Sequence, residues 1–264
     1  MKKVLIICIA SLICFNVNAQ EYALWHAGLL GGPSSTWLLN SNVSNIPSEM
    51  NYKSTIAGCF GASINRNFSE KIAIRLELIY SMHNQSYDGT FSSVDIPYGF
   101  GNGASYTDET KMNYLDIPIL FHLGKKNSPF LEVGPQFGFL MSAKQDFTYT
   151  PATGSAVTVN NSDFKSDFNS SNIAGIIGFG YNFSVVGLLS IDLGLRVGYG
   201  FTDVTKSFPE TDWYPKNTSA NVEHSYTSIY AHYNSFNQVP GNFGYTTTTR
   251  LWGSFLIGAS IEIP

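Results

Sequence analysis

Residues 114–140 read YLDIPILFHLGKKNSPFLEVGPQFGFL, two runs joined by the polar turn KKNS. In the first run Leu115, Ile117, Ile119, Phe121 and Leu123 share one parity, and Asp116, Pro118 and His122 share the other. In the second run Leu131, Val133, Pro135, Phe137, Phe139 and Met141 stand opposite Glu132 and Gln136. Successive side chains of a strand point to opposite faces, so each run predicts one wide apolar face backed by a charged one. Ile72, Ile74, Leu76, Leu78, Tyr80 and Met82 repeat the pattern opposite Arg75 and Glu77. Ile191, Leu193, Leu195, Val197, Tyr199 and Phe201 do so opposite Asp192, Gly194, Arg196, Gly198 and Gly200.

A soluble barrel would turn the bulky set inward. Eight strands enclose room for small and a few charged side chains, not for that many large rows. The bulky face is therefore expected against lipid and the charges in the lumen. A closed ring also satisfies every backbone group without water, as a lipid environment requires.

No segment after residue 19 reads as a membrane helix. The most apolar stretch, IAGIIGFGYNFSVVGLL (Ile173–Leu189), holds four glycines and alternates. Glycine costs a helix about 1 kcal/mol at each position, and alternation is a strand signal. Eight strand-like segments are predicted, near 23–37, 55–68, 72–85, 112–123, 130–145, 171–183, 189–203 and 247–263. Short turns near 69–71, 125–128 and 184–187 alternate with long polar stretches near 39–54, 86–111, 147–170 and 206–246. That asymmetry predicts an all-β fold: an eight-stranded antiparallel transmembrane β-barrel with short periplasmic turns and long extracellular loops.

The first residues, MKKVLIICIASLICFNVNAQ, read as a secretory signal peptide cut after Ala19, leaving 20–264 as the barrel domain. A lipoprotein anchor at Cys14 would need a small residue where Ile13 stands. Cleavage would leave Cys59 as the sole cysteine, excluding an internal disulfide. It would also take the formal charge from −4 to −6, against a nucleic-acid partner. Charged residues make up 13% of the chain, half the usual soluble share, which fits a lipid-embedded wall. Trp25, Trp37, Tyr80, Tyr114, Phe130, Phe183, Tyr199 and Phe201 fall near strand ends and are expected to form interfacial girdles.

The candidate lumen cluster is Arg75, Glu77, Asp116, His122, Glu132, Asp192 and Arg196. Arg75, His122, Glu132 and Asp192 count to one level above the short turns and are expected to pair, because buried charges need partners. Pro118, which lacks a donor, predicts a bulge or a missing ladder bond. A lipid-modifying enzyme would need a Ser/His/acid set at the outer rim, and His83 beside Ser81 and Ser86 is the best available. No nucleophile elbow or nucleotide loop is present. His224 and His232, eight residues apart in the Tyr-rich stretch HSYTSIYAHYNSF, do not match a metal-ligand spacing. That stretch, with Tyr226, Tyr230 and Tyr233, suits a recognition surface instead. No catalytic residue, metal or cofactor is assigned.

The signal ending NAQ, YLDIPILFHLG and FLEVGPQFGFL together resemble the PorT-like family of small outer-membrane β-barrels. The resemblance implies an eight-stranded outer-membrane barrel, in a family named for a member associated with protein secretion. One departure is the ending SIEIP, where an aromatic residue is usual. The function expected is a non-enzymatic outer-membrane barrel contacting lipid, whose surface loops bind a protein partner or a secretion component. Two alternatives stand beside it: a soluble lipocalin-like periplasmic binding barrel, and a lipid-modifying barrel enzyme.

Overall fold

The structure is a computed structural model and describes residues 25–41, 51–90, 103, 105–163, 165–206 and 247–263. The expected signal peptide, the His224–Phe236 stretch and Pro264 lie outside those residues. The described residues form ten strands: β1 (Trp25–Leu39), β2 (Asn51–Lys53), β3 (Ala57–Asn67), β4 (Ile72–Thr90), β5 (Ser105–Gly124), β6 (Pro129–Thr150), β7 (Val157–Asp163), β8 (Ser171–Val186), β9 (Leu189–Gly200) and β10 (Thr249–Ile263).

Eight of them close a ring in the order β1-β3-β4-β5-β6-β8-β9-β10, and β10 pairs back onto β1. Every ring pairing is antiparallel. Short turns join β3 to β4, β5 to β6 and β8 to β9. The KKNS turn is held by Asn127, which adopts a positive φ of 53° and accepts the Ser184 N–H through its side-chain oxygen at 2.8 Å. Asn tolerates that left-handed conformation better than other non-glycine residues.

The outward face is apolar over one band. Leu29, Phe60, Leu78, Phe121, Val133, Ile177, Phe179, Val197 and Ile257 are all exposed there. On β4 the band runs from Ile72 to Met82. At about 3.3 Å per residue and a tilt near 40°, eleven residues rise about 25 Å, the height of a membrane barrel's lipid belt.

β4, β5 and β6 continue well past that band, five to seven residues beyond the ends that the sequence predicts. Above it the outward face turns polar, with Asn84, Ser86 and Asp88 on β4 and Lys111, Glu109 and Thr107 on β5. The apolar alternation stops with the lipid face, while the ladder continues to Thr90↔Ser105 and Ser105↔Thr150. β2 pairs with β4 and β7 with β6, widening this wall from within stretches that read as loop.

The ladder slips between Asn113 and Tyr114, where Met141 has no partner of its own. This bulge reverses the parity of β6, so Ala143, Gln145 and Phe147 point inward above it while Glu132 and Gln136 do so below. At Pro118 no bulge forms. Its register with Gln136 is retained, while the β4–β5 ladder lacks the pairs that would join Glu77 and Leu78 to Pro118 and Ile117. Tyr114 and Phe130, expected in the girdles, point into the lumen and are buried. Both lie on the parity of Asp116 and Glu132, and parity rather than distance from a turn decides the side. Trp25, Phe183, Tyr199 and Phe201 do face outward.

Candidate functional site: a filled lumen beneath an extracellular wall

The lower lumen holds two arginines among three carboxylates. Arg75 donates to Glu132 at 2.7 Å and to Asp192 at 2.8 Å, and its Nε donates to Asn65 at 2.9 Å. Arg196 makes a two-pronged contact with Glu77, at 2.6 and 2.8 Å, and donates to Glu132 at 2.8 Å. His122 Nδ1 lies 3.1 Å from Glu132, and Asn182 donates to Asp192 at 2.6 Å. All these groups sit on inward positions of β3, β4, β5, β6, β8 and β9, so the network ties six of the eight strands across the axis. The planar guanidinium fork allows this, since each prong can serve a different carboxylate. Burying one such charge alone would cost several kcal/mol, which is why the arginines and acids occur as a set.

Asp116 joins a second, higher cluster. Its carboxylate accepts from Arg250 at 3.2 Å, and its other oxygen lies 3.4 Å from His83 Nε2. His83 Nδ1 lies 2.7 Å from Thr36 Oγ1. The Arg250 guanidinium is wholly buried between the rings of Tyr114 and Trp252, 4.2 and 4.5 Å from their centroids. Arg250 was missed in the sequence because no neighbour in its strand is charged until Glu262. Its parity with Trp252 and Ser254 on an otherwise apolar segment was the available signal. Trp252 fits because Gly198, on the neighbouring strand, leaves the space a Cβ would occupy.

The candidate rim triad does not assemble. Ser81 and His83 share the inner face, whereas Ser86 lies on the outer face. Both His83 nitrogens are engaged inside the barrel by Thr36 and Asp116. The resulting hydroxyl–imidazole–carboxylate file is buried, away from lipid and from the rim. Among the described residues no group of three or more His, Cys, Asp or Glu side chains could hold a metal ion.

The extracellular end of the lumen is closed by apolar packing. Leu38, Met112, Tyr114, Leu140, Phe168 and Val204 form one buried cluster. The segments after the short 3-10 turn at Lys165–Asp167 and after β9 fold inward to reach it. Asn169 N donates to Val204 O at 2.9 Å, and Val204 N donates to Thr248 O at 2.9 Å. Asp203 accepts from the backbone of Thr248 and of Thr205, each at 3.0 Å. This staple brings Lys206 and Thr247, the two ends of the longest connection, to one place on the rim.

Outside the band, Lys111 donates to Asp146 and lies 3.4 Å from Glu109. The bond to Asp146 raises the Lys111 ammonium above its ordinary range. Desolvation opposes charge on Asp146, but the bonds from Lys111 and from the Asn161 N–H outweigh it and lower that carboxyl.

A family model described as outer membrane protein beta-barrel domain matches residues 18–206. No curated protein matches the chain. Among solved structures it is similar to Neisserial surface protein A, at 10% identity and a TM-score of 0.34, covering 90% of this chain and 97% of that one. It is also similar to OprG from Pseudomonas aeruginosa, at 10% identity and a TM-score of 0.33, covering 93% and 100%. Ail of Yersinia pestis gives 9% identity and a TM-score of 0.31, covering 89% and 97%. These overlaps are too loose to carry residue correspondences, and the assignment rests on the family match. A lipid-facing band, a closed eight-strand ring and that match replace the soluble periplasmic reading: the chain is an outer-membrane protein and belongs to the outer membrane protein beta-barrel domain family.

Proposed function

We propose that this protein is a non-enzymatic, non-conducting outer-membrane barrel that presents its extracellular wall to a protein partner. The observation that carries this reading is the division of labour along β4–β6. Within the membrane their inner faces are tied by ion pairs, and above it the same strands rise about 20 Å further as a polar wall. Nothing in the lumen requires so tall a wall, and β2 and β7 broaden it further. The buried placement of His83 supports the non-enzymatic reading, since a lipid substrate has no route to it.

The PorT-like resemblance of YLDIPILFHLG and FLEVGPQFGFL favours a secretion component as that partner. Two measurements test the proposal. The purified protein in planar bilayers is expected to give no stable conductance, and a steady large conductance would refute the closed lumen. Replacing residues 86–109 by a tight turn is expected to leave a heat-modifiable barrel that no longer crosslinks its surface partner in whole cells. Unchanged crosslinking and unchanged secreted proteins in that strain would refute the wall as the binding surface.

A further inference from the structure

The lumen is filled but not solid. At mid-height a cavity of about 20 Å³ is bounded by Ser34, Cys59, His83, Gln136, Arg196 and Leu256, among others. Below it lies a second, of about 30 Å³, against Arg75, Glu132, Asp192, Arg196, Leu256 and Ser260. Below that, a basin of about 340 Å³ opens at the periplasmic turns and is walled by His26, Asn67, Arg75, Asp192, Lys126 and Ser260. Consecutive cavities share walls: Arg196 and Leu256 between the upper two, and Arg75, Asp192 and Ser260 between the lower two.

One water molecule needs roughly 10–15 Å³ of such space and two or more polar partners. The uppermost cavity meets both conditions. Ser34 Oγ and Gln136 Nε2 line it, are fully buried, and have no hydrogen-bond partner in the protein. An orphaned buried polar group costs about 1–3 kcal/mol, and a bridging water removes that cost. Above the His83 level, Leu38, Met112, Leu140, Phe168 and Val204 close the lumen with apolar side chains.

We propose that the barrel is a hydrated half-channel, open to the periplasm and sealed toward the cell exterior. Its water file ends at a site between Ser34, Gln136 and His83. The arginine network, which crosses the axis, then partitions this file into its successive cavities, and the Thr36–His83–Asp116 file at its blind end exchanges protons with the periplasm alone. The ligand class is water and water-sized monovalent cations. This inference is independent of what binds the extracellular wall.

Cys59 lines the terminal cavity and serves as an internal reporter. The full chain, folded in detergent, is exposed to silver ion, quenched, unfolded and alkylated at Cys59. Silver is expected to protect the thiol. Ser260→Trp, which fills the wall shared by the two lower cavities, is expected to slow protection severalfold while the heat-modifiable barrel persists. Absent protection, or a rate indifferent to Ser260→Trp, would overturn the half-channel. Should that variant fail to fold, a crystal structure of the unaltered protein decides. Ordered waters within hydrogen-bond reach of Ser34 Oγ and Gln136 Nε2, continuing to the basin, support the proposal. Dry cavities, or both side chains turned onto protein partners, overturn it.

Discussion

The lower and upper halves of β4–β6 are built from the same alternation and differ in what their outer faces carry. In the lower half Ile74, Leu76, Ile119, Phe121, Val133 and Phe137 face out while Arg75, Glu77, Asp116 and Glu132 face in. In the upper half Asn84, Lys111 and Asp146 face out while Tyr87, Tyr106 and Phe147 face in. The solvent outside explains the change. Lipid rewards apolar outer rows and leaves charge only the lumen, where it must be paired. Water removes that constraint, so the outer rows turn polar, while the inner face mixes Tyr87, Tyr106 and Phe147 with the buried Gln85, Asp108, Thr110 and Gln145. A single strand can therefore cross between two solvents without changing its backbone, and only the occupants of the two parities change.

The largest effect should come from breaking the lower half. Arg196→Met strips both prongs from Glu77 and one partner from Glu132, leaving the buried Glu77 carboxylate unpaired. The expected loss is about 3–5 kcal/mol, read as a lower urea midpoint for the heat-modifiable band. Adding Glu77→Gln should recover part of it, since the two residues are directly coupled. No recovery would mean that Arg196 acts through packing rather than charge.

Next in size is the seat of the upper lumen cluster. Gly198→Val drives a side chain into the Trp252 ring, and overpacking of this kind costs about 1–3 kcal/mol. The accompanying sign should be a loosened Trp252, seen as a red-shifted emission. The chain has four tryptophans, so the spectrum should be taken with Trp25, Trp37 and Trp213 replaced by Phe.

The upper half should respond far less to loss of a charge. Asp146→Asn removes an exposed pair with Lys111, worth under about 1 kcal/mol. The Asp146 carboxyl is lowered in the folded state. Its contribution is therefore present above the ordinary carboxylate range and is lost as pH falls through the lowered folded value. Lys111 is raised, so its share is complete below the ordinary lysine range and is lost as pH rises through the folded value. An urea midpoint for Asp146→Asn that differs from the parent equally at neutral and strongly acid pH would contradict this assignment.

The smallest effect is expected from excising residues 207–246 and joining Lys206 to Thr247 with a short flexible linker. Asp203 and Val204 already bind Thr248 across the base, so the barrel should keep its heat shift and midpoint. A collapse of folding would show that the excised segment supports the upper wall.

Alternation alone fixed the lipid side of β4, β5, β6 and β9, because a face of Ile, Leu and Phe opposite Arg and Asp has only one low-energy orientation in a membrane. It also placed Arg75, His122, Glu132 and Asp192 near one level, since distance from a tight turn measures height along a strand. The upper reaches of β4–β6 were illegible for the same reason: once the outer solvent is water, Tyr, Thr, Asp and Lys in alternation look like loop. The Met141 bulge was hidden too, as one unpaired residue leaves no mark in composition yet reverses every side chain beyond it. Which arginine meets which acid, why Arg250 lies between two rings, and how residues 165–170 and 201–206 close the top depend on strands distant in sequence. Those contacts exist only after the ring has closed, and closure is what the tertiary structure decided.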